Sequence, residues 1–171
     1  MELLAPAGSR QALTAAVQSG ADAVYLGGPQ FGARYSAENF TIEEMKTWVD
    51  YCHLYGVDVH VTVNTLVKEK EIESLKEYLK QLNEIGVDAL IVQDMGAVEI
   101  IKKTVPDMTL HASTQMTVTS LEGVKYLEDM GFSRVVLARE LSEKEIEHIC
   151  KNAKAEIEVF VHGAICMCYS G

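Results

Sequence analysis

Glu158-Val-Phe-Val-His-Gly-Ala-Ile-Cys-Met-Cys-Tyr-Ser-Gly171 places an acid, an imidazole and two thiols within fourteen residues. An apolar, strand-like run carries Glu158 and His162, breaks at Gly163 and delivers Cys166 and Cys168 into a loop. Thiolates and imidazoles ligate metals, and a thiol beside a base is a nucleophile. Two thiols alone cannot complete a four-ligand zinc or iron–sulfur site. Three readings stay open: His162 assists the thiols, further cysteines follow Gly171, or His162 is the base for a nucleophilic Cys166. The motif stops at its edge, so the expectation is a fragment. Glu158 opens its strand in this reading, in need of a cationic partner.

Other polar residues recur where apolar runs end. They are Pro6, Gly8 and Ser9, then Gly27 and Gly28, Asn64, Gln93 and Asp94, then His111, Ser113, Thr114 and Gln115, and finally Arg139 and Glu140. Asn64, Gln93, His111, Ser113 and Gln115 are candidate hydrogen-bonding partners of a small polar ligand. Arg139 is either an anion clamp, since guanidinium binds carboxylates bidentately, or half of an ion pair with Glu140. Asp94 suits a helix cap better than a ligand contact. Gly27-Gly28 and the loop from Gly32 suit close backbone approach to a ligand, and Arg34 and Tyr35 in that loop are either substrate contacts or solvated loop residues. Cys52 and Cys150 lie among apolar helical residues and read as small hydrophobes.

The elements that must position these residues follow from a repeated phrase. Gly20-Ala-Asp-Ala-Val-Tyr-Leu, Gly56-Val-Asp-Val-His-Val, Gly86-Val-Asp-Ala-Leu-Ile-Val and Gly131-Phe-Ser-Arg-Val-Val-Leu each join a glycine, a short link and an apolar run. Glycine suits the left-handed position that ends a helix. Near-continuous apolar strands suit a parallel sheet buried on both faces. Ile72, Leu75, Leu79, Leu82 and Ile85 fall at helical spacing. Thr41 with Glu44, Thr119 with Glu122, and Ser142 with Glu145 fit capping boxes.

Strands are expected near 2–5, 23–27, 58–63, 88–93, 109–112, 134–138 and 157–162. About seven βα units predict a (β/α)8 TIM-barrel-like fold in one incomplete domain, residues 1–171, whose eighth strand lies beyond Gly171. Its open sheet edges would favour pairing between copies. A doubly wound sheet is the alternative, but Ala5-Pro-Ala-Gly-Ser9 lacks the GxGxxG pattern. In a barrel, the polar strand ends would converge on one rim.

Composition sets bounds. The 171 residues are 48% hydrophobic and 23% charged, with a formal net charge of −10. That balance suits a folded core and disfavours a surface that coats nucleic acid, without excluding RNA as a substrate. No run approaches the ~18 apolar residues of a membrane span. The N-terminus lacks a secretory signal, so a cytoplasmic setting with reduced cysteines is the expectation.

Taken together, Glu158-Val-Phe-Val-His-Gly-Ala-Ile-Cys166, Tyr169-Ser-Gly171, Glu2-Leu-Leu-Ala-Pro-Ala-Gly8, Gly20-Ala-Asp-Ala-Val-Tyr-Leu-Gly27 and His111-Ala-Ser-Thr-Gln115 resemble the peptidase U32 family. The resemblance covers essentially the whole chain. It implies several activities. The family name implies proteolysis. Other members resemble RNA hydroxylases that act on tRNA wobble uridine, with prephenate implicated as oxygen donor, or on a ribosomal RNA cytidine. Further relatives serve oxygen-independent quinone hydroxylation. Several bind a 4Fe-4S cluster through four cysteines. Cys166 matches the first ligand, the next would fall beyond Gly171, and Cys168 matches none. The resemblance favours a cluster-dependent RNA hydroxylase with His162, Arg139 and Glu140 at its catalytic centre. A peptidase acting on protein or peptide, and a non-catalytic binding module, remain the alternatives. No Gly-x-Ser-x-Gly or His-Glu-x-x-His pattern supports a serine or zinc protease.

Overall fold

A computed structural model describes residues 1–33 and 40–163. The chain divides into two compact units, Met1–Met108 and Thr109–Gly171.

The first unit alternates strand and helix: β1 (Leu4–Pro6), α1 (Arg10–Gln18), β2 (Ala23–Gly27), α2 (Ile42–Leu54), β3 (Asp58–Val63), α3 (Ile72–Glu84), β4 (Ala89–Val92) and α4 (Met95–Thr104). The strands pair in parallel in chain order, with Tyr25 level with His60 and His60 level with Ala89. Helix starts follow local chemistry. Ser9 Oγ accepts from Ala12 N, and Thr41 and Glu44 close a capping box. Asp94 Oδ1 accepts from Ala97 N at 3.0 Å. Gly20, Gly56 and Gly86 take φ of +84°, +70° and +83° where helices turn into strands, a conformation that costs other residues about 1–2 kcal/mol. Val24, Leu26, Val59, Val61, Val63, Leu90 and Val92 are buried, as are Leu75, Leu79 and Leu82 of α3.

The second unit holds β5 (Thr109–Ala112), a 3-10 turn at Thr114–Met116, α5 (Leu121–Asp129), β6 (Arg134–Val136), α6 (Glu143–Asn152) and β7 (Glu156–Glu158). These strands are also parallel, and His111, Arg134 and Glu156 lie abreast. Ser142 and Glu145 form a capping box, and Gly131 ends α5 at φ +83°.

Several expectations need correction. Strand one is Leu4–Pro6 rather than 2–5, and strand four is Ala89–Val92 rather than 88–93. The cap of α5 is Ser120, not Thr119: its Oγ accepts from Gly123 N at 3.2 Å. The sixth strand stops at Val136 rather than 138 because Ala138 N donates to Val118 O, out of the sheet. That loss shortens the seventh strand, expected at 157–162, to Glu156–Glu158. Leu137 N to Glu158 O, at 3.0 Å, is its last link to β6. Val159, Phe160 and Val161 are consequently 37%, 50% and 86% exposed.

Candidate functional site

Strand alternation sorts β3 cleanly. Val59, Val61 and Val63 point to one face, while Asp58, His60 and Thr62 point to the other. The apolar set packs in the core. The polar set continues through Asn64, just past the strand end. On β2, Tyr25 stands beside His60 on this polar face. In a parallel sheet covered on both sides, such positions ordinarily hold Val, Ile or Leu. The strict alternation of Asp58-Val-His-Val-Thr-Val63 is the sequence signal for His60 and Thr62, while Tyr25 is placed beside them only by the pairing of β2 with β3.

At the C-terminal ends of β3 and β4, two expected residues meet. Gln93 Nε2 donates to the Asn64 carbonyl at 2.8 Å, and Asn64 Oδ1 accepts from Ala33 N at 3.0 Å. Both side chains are half-buried. Neighbouring Asp94 caps α4 and also accepts from Val67 N at 2.9 Å, so both carboxylate oxygens hold backbone. Gly28 and Gly32 have packing reasons. A Cβ on Gly28 would overlap the Tyr78 hydroxyl, and one on Gly32 would press on Thr62 Oγ1 at 3.2 Å. Arg34 and Tyr35 lie outside the described residues.

In the second unit, His111 and Ser113 are buried on one face of β5 and its extension. Ser113 Oγ accepts from Gln115 N at 3.3 Å and caps the 3-10 turn. Gln115 is half-buried, and its Oε1 is enclosed without a hydrogen-bond partner among the described residues. Arg134, which the sequence reading left as an ordinary strand residue, is buried and donates through Nε and Nη2 to Glu156 at 2.8 and 2.5 Å. Its Nη1 lies 3.6 Å from Glu158 Oε2. Glu158 therefore has the cationic partner it needs, but it closes β7 rather than opening it.

Arg139 and Glu140 form an exposed turn after β6. Arg139 borders a hollow of about 130 Å³ whose other walls are Leu137, Ala138, Leu141, Ile146, Val159 and Phe160. The hollow exposes polar and apolar atoms about equally, with the guanidinium of Arg139 at its edge. His162 is not at a strand end: it follows β7 by four residues and is exposed. Cys166 and Cys168 lie outside the described residues. Cys52 is buried, and burial, with the Asp88 carboxylate adding, pushes its thiol up to about 11. That thiol is inert at neutral pH. Cys150 is exposed on α6. Among the described residues no three of His, Cys, Asp and Glu gather in a metal-binding group.

Comparison with known proteins sharpens this picture. The model of peptidase family U32 matches residues 8–171. The 23S rRNA 5-hydroxycytidine C2501 synthase of Escherichia coli is 44% identical over the whole chain, which spans 26% of that protein. The tRNA hydroxylation protein P1 of Bacillus subtilis is 41% identical over 99% of the chain, which spans 40% of that relative. The chain thus covers well under half the length of either. Among solved structures, the U32 peptidase Mk0906 superposes with a TM-score of 0.76 at 20% identity, covering 93% of this chain and 68% of that one. That likeness places the fold in the (β/α)8 TIM-barrel-like class.

Proposed function

The chain belongs to peptidase family U32, and on that premise we propose that it is part of an RNA-hydroxylating enzyme, with a tRNA wobble uridine as the leading target. The observation that carries this reading is the identity of 44% and 41%, along the whole chain, to two proteins named for RNA hydroxylation. The described geometry supports roles for individual side chains. The Asn64–Gln93 pair offers a fixed, uncharged hydrogen-bonding edge, the chemistry that reads polar heterocycles. Arg139, at the edge of this hollow, suits a carboxylate oxygen donor of the prephenate type, its guanidinium pairing with the carboxylate. Glu140 and the exposed His162 stand in the same unit as candidate proton carriers. His111, Ser113 and Gln115 supply polar groups at the end of β5.

A 4Fe-4S cluster, ligated in part by Cys166, belongs to the same reading and would supply redox chemistry when bound. Among the described residues no group of three His, Cys, Asp or Glu gathers to complete its ligand set. With a net charge of −10, the RNA backbone would be held by local basic groups rather than by the overall field.

The test is nucleoside mass spectrometry of tRNA and ribosomal RNA from cells lacking the intact gene. Loss of one hydroxylated pyrimidine, restored by the wild-type gene but not by Arg139→Ala or Cys166→Ala, is the expected result. An unchanged nucleoside profile, with every paralogue also deleted, would overturn the reading. Hydrolysis of gelatin by the intact protein that disappears in Cys166→Ala would establish the peptidase alternative instead. Tight partner binding without turnover would establish a binding module.

A further inference from the structure

The segment between Gly28 and Ala33 crosses from β2 towards α2, and nearly every residue in it is tied down. Gly28 lies against Tyr78 of α3, leaving no room for a side chain: a Cβ there would overlap the phenol oxygen and sit 3.0 Å from Cζ and 3.3 Å from Met45 Sδ. Ser74 Oγ donates to Gln30 Oε1 at 2.9 Å. The Phe31 ring packs on Tyr78 with centroids 5.8 Å apart. Gly32 lies against Thr62, and Ala33 N donates to Asn64 Oδ1. The tethers run from α3 at one end to β3 at the other.

Two features are costly in isolation. Phe31 has φ +59°, a left-handed conformation that costs a bulky residue about 1–2 kcal/mol. The Tyr78 hydroxyl is buried without a hydrogen-bond partner among the described residues, and burial pushes its pKa up. Strain of this kind persists only where the surroundings over-determine the conformation. Here the phenol of Tyr78 does so, filling the space against Gly28 and packing at a tilt on the Phe31 ring.

We propose that residues 28–33 are a strap whose seat on Tyr78 fixes the orientation of the Asn64 carboxamide, making Gly28, Phe31 and Tyr78 positioning residues for the Asn64–Gln93 edge. This rests on the reading that this edge faces the RNA substrate. Asn64 accepts from the strap through Oδ1, and its own carbonyl accepts from Gln93. The strap holds the Asn64 side chain, while Gln93 is held by the Asn64 main-chain carbonyl, so a shift at the seat moves the carboxamide relative to Gln93. A misplacement of about 1 Å at a reacting site can cost ~10²-fold in rate.

The experiment is a rescue and a cycle in the intact protein. Gly28→Ala should lower turnover of the RNA by about tenfold or more while the fold, read by circular dichroism, is kept. Adding Tyr78→Phe removes the oxygen that the new methyl meets and should recover most of that loss. In an Asn64→Ala background, Gly28→Ala should cost little more, because its effect runs through Asn64. Amide hydrogen exchange in the peptide spanning 28–33 gives a readout independent of activity. Asn64→Ala and Phe31→Ala should each accelerate it, since loops open locally at low free energy. Full additivity of Gly28→Ala with Asn64→Ala, or no recovery with Tyr78→Phe, would overturn the proposal. Unchanged exchange in Asn64→Ala would overturn the coupling even if the protein proved to have no action on RNA.

Discussion

The strand ends of β3 and β4 are built differently from those of β6 and β7. At β3 and β4, the polar side chains are spoken for: Asn64 holds Ala33, Gln93 holds Asn64, and Asp94 holds both Val67 and α4. The strands below are secured by apolar packing against helices. At β6 and β7, the ladder is three residues long, and a buried guanidinium between two carboxylates joins it. Beyond it lie an exposed Arg139–Glu140 turn and an exposed apolar run. The first region is held by directional hydrogen bonds. The second presents an exposed charged turn followed by exposed apolar side chains.

The largest expected effects attack the two kinds of joint. Leu79→Ala empties a fully buried site in the first unit and should cost about 3 kcal/mol. Arg134→Met in the second unit removes the charge-assisted hydrogen bonds to Glu156 and the ion pair with Glu158 and should cost about 2 kcal/mol. Urea unfolding of each variant measures both. If Arg134→Met proved neutral, the second joint would be apolar in effect and the contrast would fail. Asp94→Ala should cost about 1 kcal/mol through the lost cap, with faster exchange at Val67 as its local signature.

A pH effect is expected in the second unit. Glu128 accepts from the amides of Ala155 and Lys154, and these bonds, the Ala155 bond foremost, hold its carboxyl below the ordinary 4.5. Its contribution is then complete above pH 4.5 and is lost as pH falls through the lowered value. Thermal melts from pH 7 to 3 should show an acid-side fall in Tm that shrinks in Glu128→Gln. The smallest effect belongs to Val161→Ser, where 86% exposure predicts a change within about 0.5 kcal/mol. A larger cost would mean that this run is buried by other parts of the intact protein.

Much of this was legible in the sequence. The glycine phrases named four helix ends, and three of the capping assignments held: Thr41, Asp94 and Ser142. The Val-rich runs named the strands because a residue buried on both sides of a sheet has little choice but to be apolar. Asn64 and Gln93 were found because strand ends are where polar residues interrupt such runs. His162 was misplaced because Val159, Phe160 and Val161 read as strand by composition. Strand formation needs a hydrogen-bonding partner, and Ala138 turns away from them.

The sequence by itself therefore determined the alternation of elements, their caps and the apolar faces, all of which depend on neighbours within a few residues. The tertiary structure decided where ladders end, that Arg134 is shared by Glu156 and Glu158, and that Gly28 must be bare because Tyr78, fifty positions along, occupies the space. Those outcomes depend on which backbone group or ring arrives from a distant part of the chain, and local spacing carries no record of that.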